Sequence, residues 1–294
     1  MITDVLLPAA LAFIMFSVGL ALKAEDFRAV FLRPRPLLIG LCGQLLLVPC
    51  AALLTALAFG LPPALAVGLL ILAACPGGAS SGFLTHLAGG NAALSLSLTV
   101  ISSLAALASF PLLVQLALVD VGGGALADGA LQLAALPLER LIGSVLVVTT
   151  LPIVAGMLLR RQAPAFTLRR EAAIGRLATL FFAAIVVGTF ATHQQTILDN
   201  LLAVGPAALV LNLAAMGGGY ALVRLARAAP RDVVAVAMEC GLQNAGLAIF
   251  VAIVLLRQPA LAVAAVVYAL TMNFGALGLV FAARRRATRT AFAR

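Results

Sequence analysis

One acidic residue, Glu239, is predicted to lie deep inside an apolar segment long enough to cross a membrane. A charged side chain at the centre of a bilayer costs roughly 2.5 to 3.5 kcal/mol even on insertion scales. Because no Lys or Arg is predicted at a similar depth, a structural salt bridge does not explain Glu239. A bound cation, a proton or a water-filled cavity would offset the cost, which favours a functional role over a structural one.

Two predicted spans are interrupted near their middle, at residues 75–82 (CPGGASSG) and 239–246 (ECGLQNAG). Proline removes a backbone donor and glycine tolerates non-helical torsions, so the backbone is expected to open there. Opened carbonyls are ligands that hard cations prefer. Half-helices beginning near Ala79 and Ala245 would point positive N-termini into the same cavity, where a carboxylate or sulfate could rest. A kink without function is the alternative for either break, but two corresponding breaks favour a site.

Oxygen-bearing side chains accompany both interruptions. Ser95 and Thr99 lie four residues apart on one face of the fourth predicted span, as two ligands of one ion require. The other polar residues of this set are Gln44, Ser81, Thr85, Ser97, Ser102, Ser103, Gln243 and Asn244. Ser and Thr commonly bond back to their own helix, so a structural role stays open for any single member.

Apolar helices must position these residues, since 64% of the 294 residues are hydrophobic, 10% are charged and the mean hydropathy is +1.17. Runs of about 18 or more apolar residues can cross the roughly 30 Å hydrocarbon layer as helices. The predicted spans are 5–22, 36–59, 63–87, 92–118, 138–159, 173–191, 201–225, 233–256 and 260–283. We therefore expect an all-α polytopic membrane protein in which nine transmembrane helices form one transporter domain, 1–294.

The basic residues select one orientation, because Lys and Arg concentrate in cytoplasmic loops. With the N-terminus outside and the C-terminus inside, all 19 Lys and Arg except Arg140 and Arg257 fall on the cytoplasmic side. Asp120, Asp128 and Asp199 fall in the outer loops. Topology thus explains the net charge of +9, with some attraction to anionic lipid headgroups. The expected location is the inner (plasma) membrane.

Several other classes of protein are not expected. Nucleic-acid binding lacks its stacking residues, since Trp is absent and no basic segment alternates with aromatic residues. Cys42, Cys50, Cys75 and Cys240 fall inside predicted spans without the spacing of a zinc site or a disulfide framework. His86 and His193 lie near opposite membrane faces and pair with no evident nucleophile, so an enzyme is not expected. No obligate protein partner is evident.

The two interrupted spans also correspond to each other in sequence. When the sequence is aligned with itself so that Pro63 matches Pro230, Ala93 also matches Ala260 and the two interruptions fall at corresponding positions. An odd number of spans separates the equivalents, so the two halves enter the membrane from opposite sides, as the inverted repeats of transporters do. The span at 138–159 would lack a counterpart.

The sequence resembles the bile acid:sodium symporter family over nearly the whole chain. The likeness rests on IMFSVGL at 14–20 followed by DFR at 26–28, on PGG at 76–78 with GN at 90–91 and ALS at 93–95, and on ECGLQNAG at 239–246. Members similar to this chain often have ten spans, and this chain is expected to lack the first.

The resemblance implies a core domain with two crossed, broken helices and a panel domain that rocks against it to give alternating access. The panel helices would be about 5–22, 138–159 and 173–191, and the core helices about 36–118 and 201–283. One sodium site would use Ser81, Ser95, Thr99 and Glu239, and the other Gln44, Glu239, Gln243 and the backbone carbonyls of Cys240 and Leu242. The substrate residues would be Ala79, Gly82, Asn244 and Asn273.

Three positions depart from the family's usual pattern. Gly82 stands where the family usually has an Asn that ligates the first sodium, and Ala79 stands where a Thr lines the substrate cavity. Met272 precedes Asn273 where a His is common. The first sodium site therefore lacks one side-chain oxygen, which water or a single-ion stoichiometry would replace, and the cavity is more apolar.

The leading interpretation is sodium-coupled import of a small organic anion with one or two sodium ions. Gly82 and a distant likeness to arsenite carriers keep open proton coupling, or efflux of an organic or inorganic anion. A membrane receptor or assembly subunit with a ligand cavity is the alternative outside transport.

Overall fold

The computed structural model describes residues 2–32, 34–121 and 138–292, in which the regular secondary structure is helical apart from one isolated β-bridge. Arg33, Asp128 and Arg294 of the charge pattern lie outside the described residues. The helices are α1 Ile2–Ala21, α2 Ala24–Phe31, α3 Pro34–Ala58, α4 Pro63–Ala74, α5 Ser81–Leu87, α6 Ala92–Leu116, α7 Glu139–Gln162, α8 Pro164–Thr192, α9 Gln194–Leu225, α10 Pro230–Gly241, α11 Ala245–Leu255 and α12 Pro259–Phe292.

Seven of these helices, α1, α3, α6, α7, α8, α9 and α12, are long and apolar enough to cross a membrane. The chain is therefore a multi-pass membrane protein. The third and eighth predicted spans are instead divided, into α4 and α5 and into α10 and α11. Helices α8 and α9 also begin earlier than predicted, at Pro164 and Gln194, because their first turns are polar and only the apolar part was visible as a span.

Two of the long helices contain π-helical turns just before a proline. The segment Gly43–Leu47 precedes Pro49 in α3, and Leu146–Thr150 precedes Pro152 in α7. A proline cannot donate to the carbonyl four residues earlier and its ring crowds that carbonyl, so the preceding turn widens. Gln44 lies in the first of these turns.

Polar contacts group the helix ends at two faces. Asn91 Nδ2 donates to Asp232 Oδ1 at 2.7 Å and Arg284 Nε donates to the Leu87 carbonyl at 3.0 Å, which ties together three ends predicted to be cytoplasmic. At the predicted outer face, Arg257 and Asp4 form an ion pair at 2.8 Å. Which of the two faces is cytoplasmic, and how many times the chain crosses, stay predictions.

The most deeply buried part of the bundle is the second divided span. Every residue from 235 to 252 is buried, so both sides of the break in this span are enclosed by other helices. Elsewhere in the bundle, helices approach each other closely through small residues, as membrane helices do. A Cβ on Gly68 of α4 would lie 2.4 Å from the Leu261 carbonyl oxygen of α12. On α7, a Cβ at Gly156 would lie 2.3 Å from the Phe16 carbonyl oxygen of α1.

Candidate ion and substrate site

The two interruptions meet and pair through their backbones. The Gly78 N–H donates to the Leu242 carbonyl at 2.6 Å, and the Asn244 N–H donates to the Pro76 carbonyl at 3.0 Å. These reciprocal bonds flank an antiparallel bridge between Gly77 and Gln243. Both helices end where the sequence predicted an opening. At each break, backbone N–H and C=O groups that lack a partner in their own helix form hydrogen bonds with the other break.

Glycine is required in the first interruption by close approach. A Cβ on Gly77 would lie 1.8 Å from Glu239 Oε1. A Cβ on Gly78 would lie 2.9 Å from the Gln243 carbonyl oxygen. The Glu239 carboxylate therefore lies directly against the backbone of the other broken helix.

The Glu239 carboxylate is fully buried and is surrounded by hydroxyl groups. Thr99 Oγ1 donates to Oε1 at 2.6 Å, and Ser95 Oγ donates to Oε2 at 2.9 Å. Ser81 Oγ lies 3.2 Å from Ser95 Oγ and 3.3 Å from Thr99 Oγ1. The three hydroxyls and the carboxylate form one cluster between α5, α6 and α10.

This cluster has no positive partner among the side chains that the structure describes. Among the described side chains, Glu239 is the single buried acidic residue and Arg160 the single buried basic residue. Arg160 forms an ion pair with Glu171 and donates to the Leu20 carbonyl. Removing a carboxylate from water costs several kcal/mol, and two hydroxyl donors offset only part of that cost. The arrangement is chemically suited to a cation or a proton.

An amide pair forms a second cluster beside the bridge. Gln44 Nε2 donates to Gln243 Oε1 at 2.8 Å and to the Cys75 carbonyl at 2.9 Å. Gln243 Nε2 donates to the Cys240 carbonyl at 2.7 Å. The Leu242 carbonyl accepts the Gly78 N–H. Four of the residues named for the second sodium site, Gln44, Cys240, Leu242 and Gln243, thus lie together, whereas Glu239 is bonded to the hydroxyl cluster. Gln44 reaches them from the π-helical turn of α3.

The predicted substrate residues fall into different environments. Asn244 caps α11, because its Oδ1 accepts the Leu247 N–H at 3.0 Å, and its Nδ2 approaches Met15 Sδ of α1 at 3.5 Å. Ala79 is half-buried in the first break. Asn273 is also half-buried, and it donates to the Ala269 carbonyl of its own helix at 3.0 Å. Its place in a substrate site stays a prediction.

Gly82 is buried beside Leu96. A Cβ on Gly82 would lie 2.7 Å from Leu96 Cδ2, so the Leu96 side chain takes up the space that a larger residue would need. Position 82 has no side-chain oxygen to offer the hydroxyl cluster, and the space beside it is filled by an apolar side chain.

Sequence reasoning missed two polar residues that hold the end of α10. Tyr268 Oη and Asn212 Nδ2 both donate to the Gly241 carbonyl at 2.8 Å, from α12 and α9 respectively. Both side chains are fully buried. Asn212, a polar residue inside an apolar span, could have been singled out from the sequence. Its partner could not, because the Gly241 carbonyl is free to accept a side-chain hydrogen bond only where α10 ends.

A bundle of apolar helices with two broken helices paired beside one buried carboxylate is typical of secondary transporters. Residues 8–200 match the Sodium Bile acid symporter family, and the chain belongs to that family. Because it is a family of sodium-dependent transporters, the protein is a transporter and not an enzyme.

Three relatives illustrate the match. The chain is 29% identical to the "Uncharacterized sodium-dependent transporter YocS" of Bacillus subtilis (strain 168), over 81% of this chain and 70% of that protein. It is 30% identical to the "Probable sodium/metabolite cotransporter BASS2, chloroplastic" of Oryza sativa subsp. japonica, over 96% of this chain and 64% of that protein. It is 29% identical to the "Ileal sodium/bile acid cotransporter" of Cricetulus griseus, over 83% of this chain and 67% of that protein.

Proposed function

We propose that the protein is a sodium-coupled symporter that imports a small organic anion across the plasma membrane by alternating access. The observation that carries the proposal is the fully buried Glu239 carboxylate, which has hydroxyl partners and lies against the backbone of a second broken helix. The relatives' names, which include "sodium-dependent transporter" and "sodium/bile acid cotransporter", support sodium as the coupling ion.

The hydroxyl cluster is the better-formed of the two proposed sodium sites. Ser81, Ser95, Thr99 and Glu239 offer side-chain oxygens that already lie within 3.3 Å of one another in adjacent pairs. Rotation of the hydroxyl hydrogens away from the carboxylate would turn their lone pairs toward a common ion. An ion there neutralises Glu239, which removes the cost of burying its charge.

The amide cluster requires a change before it can bind a second ion. Gln44 and Gln243 now direct N–H groups at the Cys75 and Cys240 carbonyls. A cation at these carbonyls requires both amides to turn their oxygens inward. The second ion would therefore reorder the contact between α3 and α10, and the number of ions transported is one or two according to whether this change occurs.

The substrate would dock beside Ala79 and Asn244. The α11 N-terminus begins at Ala245, and helix N-termini favour anions such as carboxylate or sulfate. Asn244 also faces Met15 of α1, which supports a cavity between α1 and α11 in this proposal. Bile acids, steroid sulfates, short keto acids and pantothenate precursors are the candidate substrates.

The movement would be a rocking of the panel helices α1, α7 and α8 against the remaining helices. The close approach of Gly156 to the α1 backbone supports α1 and α7 as one unit. The reciprocal bonds between the two breaks support an inverted repeat. The proposed topology has nine crossings with the N-terminus outside, on the distribution of Lys and Arg. Sodium binding would hold the breaks in the ordered form to which the anion binds, so the ion gradient drives import.

Uptake by purified protein in liposomes tests the proposal. An imposed inward sodium gradient should drive accumulation of one of the labelled organic anions, and Glu239→Gln should abolish the sodium stimulation while keeping the size of the side chain. Glu25→Gln, at an exposed position of α2, is the matched control and should keep wild-type uptake. Undiminished sodium-driven uptake by Glu239→Gln would contradict the proposal.

Proton coupling, with either import or efflux, is the second candidate. It is favoured by Gly82, since Leu96 rather than an oxygen ligand fills the space beside the hydroxyl cluster, and a protonated Glu239 would need no cation. Sodium and proton gradients applied separately, in both directions, distinguish the two. Accumulation driven by the proton gradient alone would establish this second candidate.

A further inference from the structure

A groove of about 470 Å³ opens on the outside of the bundle between α9 and α12. Its walls are almost entirely apolar. The lining residues that matter here are Leu209, Leu213, Tyr220, Phe274 and Ala282, and three glycines, Gly217, Gly275 and Gly278, give it depth. Leu213 and Phe274 are more than half exposed, so the groove faces the surroundings of the bundle rather than its core.

Gly217 and Gly278 face unfilled space. A Cβ added to Gly217 or Gly278 would meet no atom within 4 Å. Gly275 differs, because a Cβ there would lie 2.1 Å from Asn212 Oδ1. The open part of the groove is therefore bounded by Gly217 and Gly278, while its floor at Gly275 adjoins the residues that hold α10.

The groove has the length of one membrane leaflet. From Leu209 to Tyr220 the α9 wall rises roughly 16 Å at 1.5 Å per residue. The hydrocarbon layer of a bilayer is about 30 Å thick, so a leaflet supplies about half of that. One acyl chain lying along α9 matches this length.

Basic residues follow at one end. The lining face of α9 continues from Tyr220 to Arg224 one turn later, and that of α12 continues from Ala282 to Arg285. Both arginines are exposed, and the Arg285 guanidinium lies 4.1 Å from the centre of the Phe281 ring. A phosphate at this level would meet guanidinium donors that suit its geometry.

We propose that this groove binds one anionic phospholipid, with an acyl chain between α9 and α12 and the phosphate at Arg224 and Arg285. The predicted topology places that headgroup in the cytoplasmic leaflet, where anionic lipids attract basic residues. The site lies outside the hydroxyl and amide clusters and does not depend on the proposed transport reaction.

A second copy of the chain is the competing occupant, since grooves lined by glycine also receive helices. A two-fold interface along the membrane normal brings the same residues of both copies to the same depth. Arg224 and Arg285 would then face their own counterparts, and the like charges would repel. The charge at the groove end therefore favours lipid over a second copy.

Native mass spectrometry of the full chain in detergent tests the proposal, with phosphatidylglycerol and phosphatidylcholine as probes. Wild-type protein should bind one phosphatidylglycerol about tenfold more tightly than phosphatidylcholine. The pair Arg224→Gln and Arg285→Gln should remove that preference. Gly217→Leu with Gly278→Leu should fill the groove and remove binding of both lipids. Gly188→Leu, at an exposed α8 glycine that also has no atom near its Cβ, should leave binding unchanged.

Equal binding of the two lipids by wild-type protein would overturn the proposal, as would phosphatidylglycerol binding that survives filling of the groove. A wild-type dimer that the filled groove converts to a monomer would show that the occupant is a second copy. If the filled variant does not fold, as judged by gel filtration, the arginine variant alone decides, because both of its changes lie at exposed positions.

Discussion

Glu239 combines a high burial cost with partners that reduce the cost only partly. Hydrogen bonds to a charged group contribute roughly 1.5 to 3 kcal/mol each, and the carboxylate receives them from Thr99 and Ser95. Burying an ion still costs several kcal/mol per charge. The ion-free site with a charged Glu239 is therefore high in free energy. A bound cation is favoured both by its oxygen ligands and because it neutralises the buried carboxylate.

Loss of one hydroxyl should weaken sodium binding without stopping transport. Thr99→Val keeps the shape of the side chain but removes its 2.6 Å bond to Glu239 and one proposed ligand. We expect the sodium concentration for half-maximal uptake to rise about tenfold, because the bound ion loses one oxygen ligand and a loss of about 1.4 kcal/mol in binding free energy corresponds to a factor of ten. The maximal rate should change little. Ser109→Ala, which loses only a bond to the Ala105 carbonyl of its own helix, is the control. An unchanged sodium dependence in Thr99→Val would remove Thr99 from the site.

Tyr268 should act on sodium through the backbone of α10. Tyr268→Phe removes one of the two donors to the Gly241 carbonyl and leaves Asn212. We expect a several-fold higher sodium requirement and a smaller rise in melting temperature when sodium is added. Thr271→Val, on the same helix but bonded to its own backbone, should change neither quantity. A lower melting temperature with an unchanged sodium effect would show that Tyr268 has only a structural role.

The residue types of the site were largely predictable, whereas the partners of some were not. An acidic residue in an apolar span, and Ser95 and Thr99 at a spacing of one helical turn, indicated candidate ligands from the residues themselves. Their grouping with Ser81 around Glu239 was implied by the family resemblance. Asn212 and Tyr268 were missed because they bind a backbone carbonyl, which carries no side-chain signature. The π-helical turn that delivers Gln44 was missed because a widened turn leaves the apolar pattern of α3 intact.

The contact between the two divided helices depends on a glycine at the break. Gly77→Ala should abolish sodium-driven uptake, because the added Cβ would lie 1.8 Å from Glu239 Oε1 and must displace the carboxylate or separate the two breaks. Uptake in proteoliposomes and the melting temperature with and without sodium are the measurements. Gly188→Ala, on the exposed face of α8, should retain uptake, since alanine is tolerated there and favours helix. Normal uptake by Gly77→Ala would show that the close contact is not needed for transport.

The elements themselves were predictable where the pattern was apolar and continuous, and less so where it was polar. The seven continuous spans follow from hydropathy. The first turns of α8 and α9 do not, because residues such as Arg169 and Gln195 continue a helix beyond the apolar part without contributing to its signal. The crossing of the two broken helices was implied by the family resemblance, but the register of their pairing, Gly77 opposite Gln243, is set by packing.

For the whole molecule, alternating access requires α1 to move relative to α11, and the two helices are in contact. A Cβ on Gly246 would lie 3.4 Å from Leu11 Cδ1, so Leu11→Cys and Gly246→Cys bring two thiols close together. In a chain whose native cysteines are replaced by serine, a small thiol reagent that partitions into the buried contact can join them. If the panel rocks as proposed, the bridge should stop uptake and a cleavable reagent should restore it on reduction.

A bridge inside the proposed panel provides the control. Phe13 of α1 and Phe181 of α8 have ring centres 5.2 Å apart, and both helices belong to the unit that would move as one body. The same reagent joining cysteines at positions 13 and 181 should therefore leave uptake intact. Transport that continues with residues 11 and 246 joined would mean that α1 and α11 keep their contact throughout the cycle. The anion would then have to cross by a movement elsewhere in the bundle, and the assignment of α1 to a moving panel would be wrong.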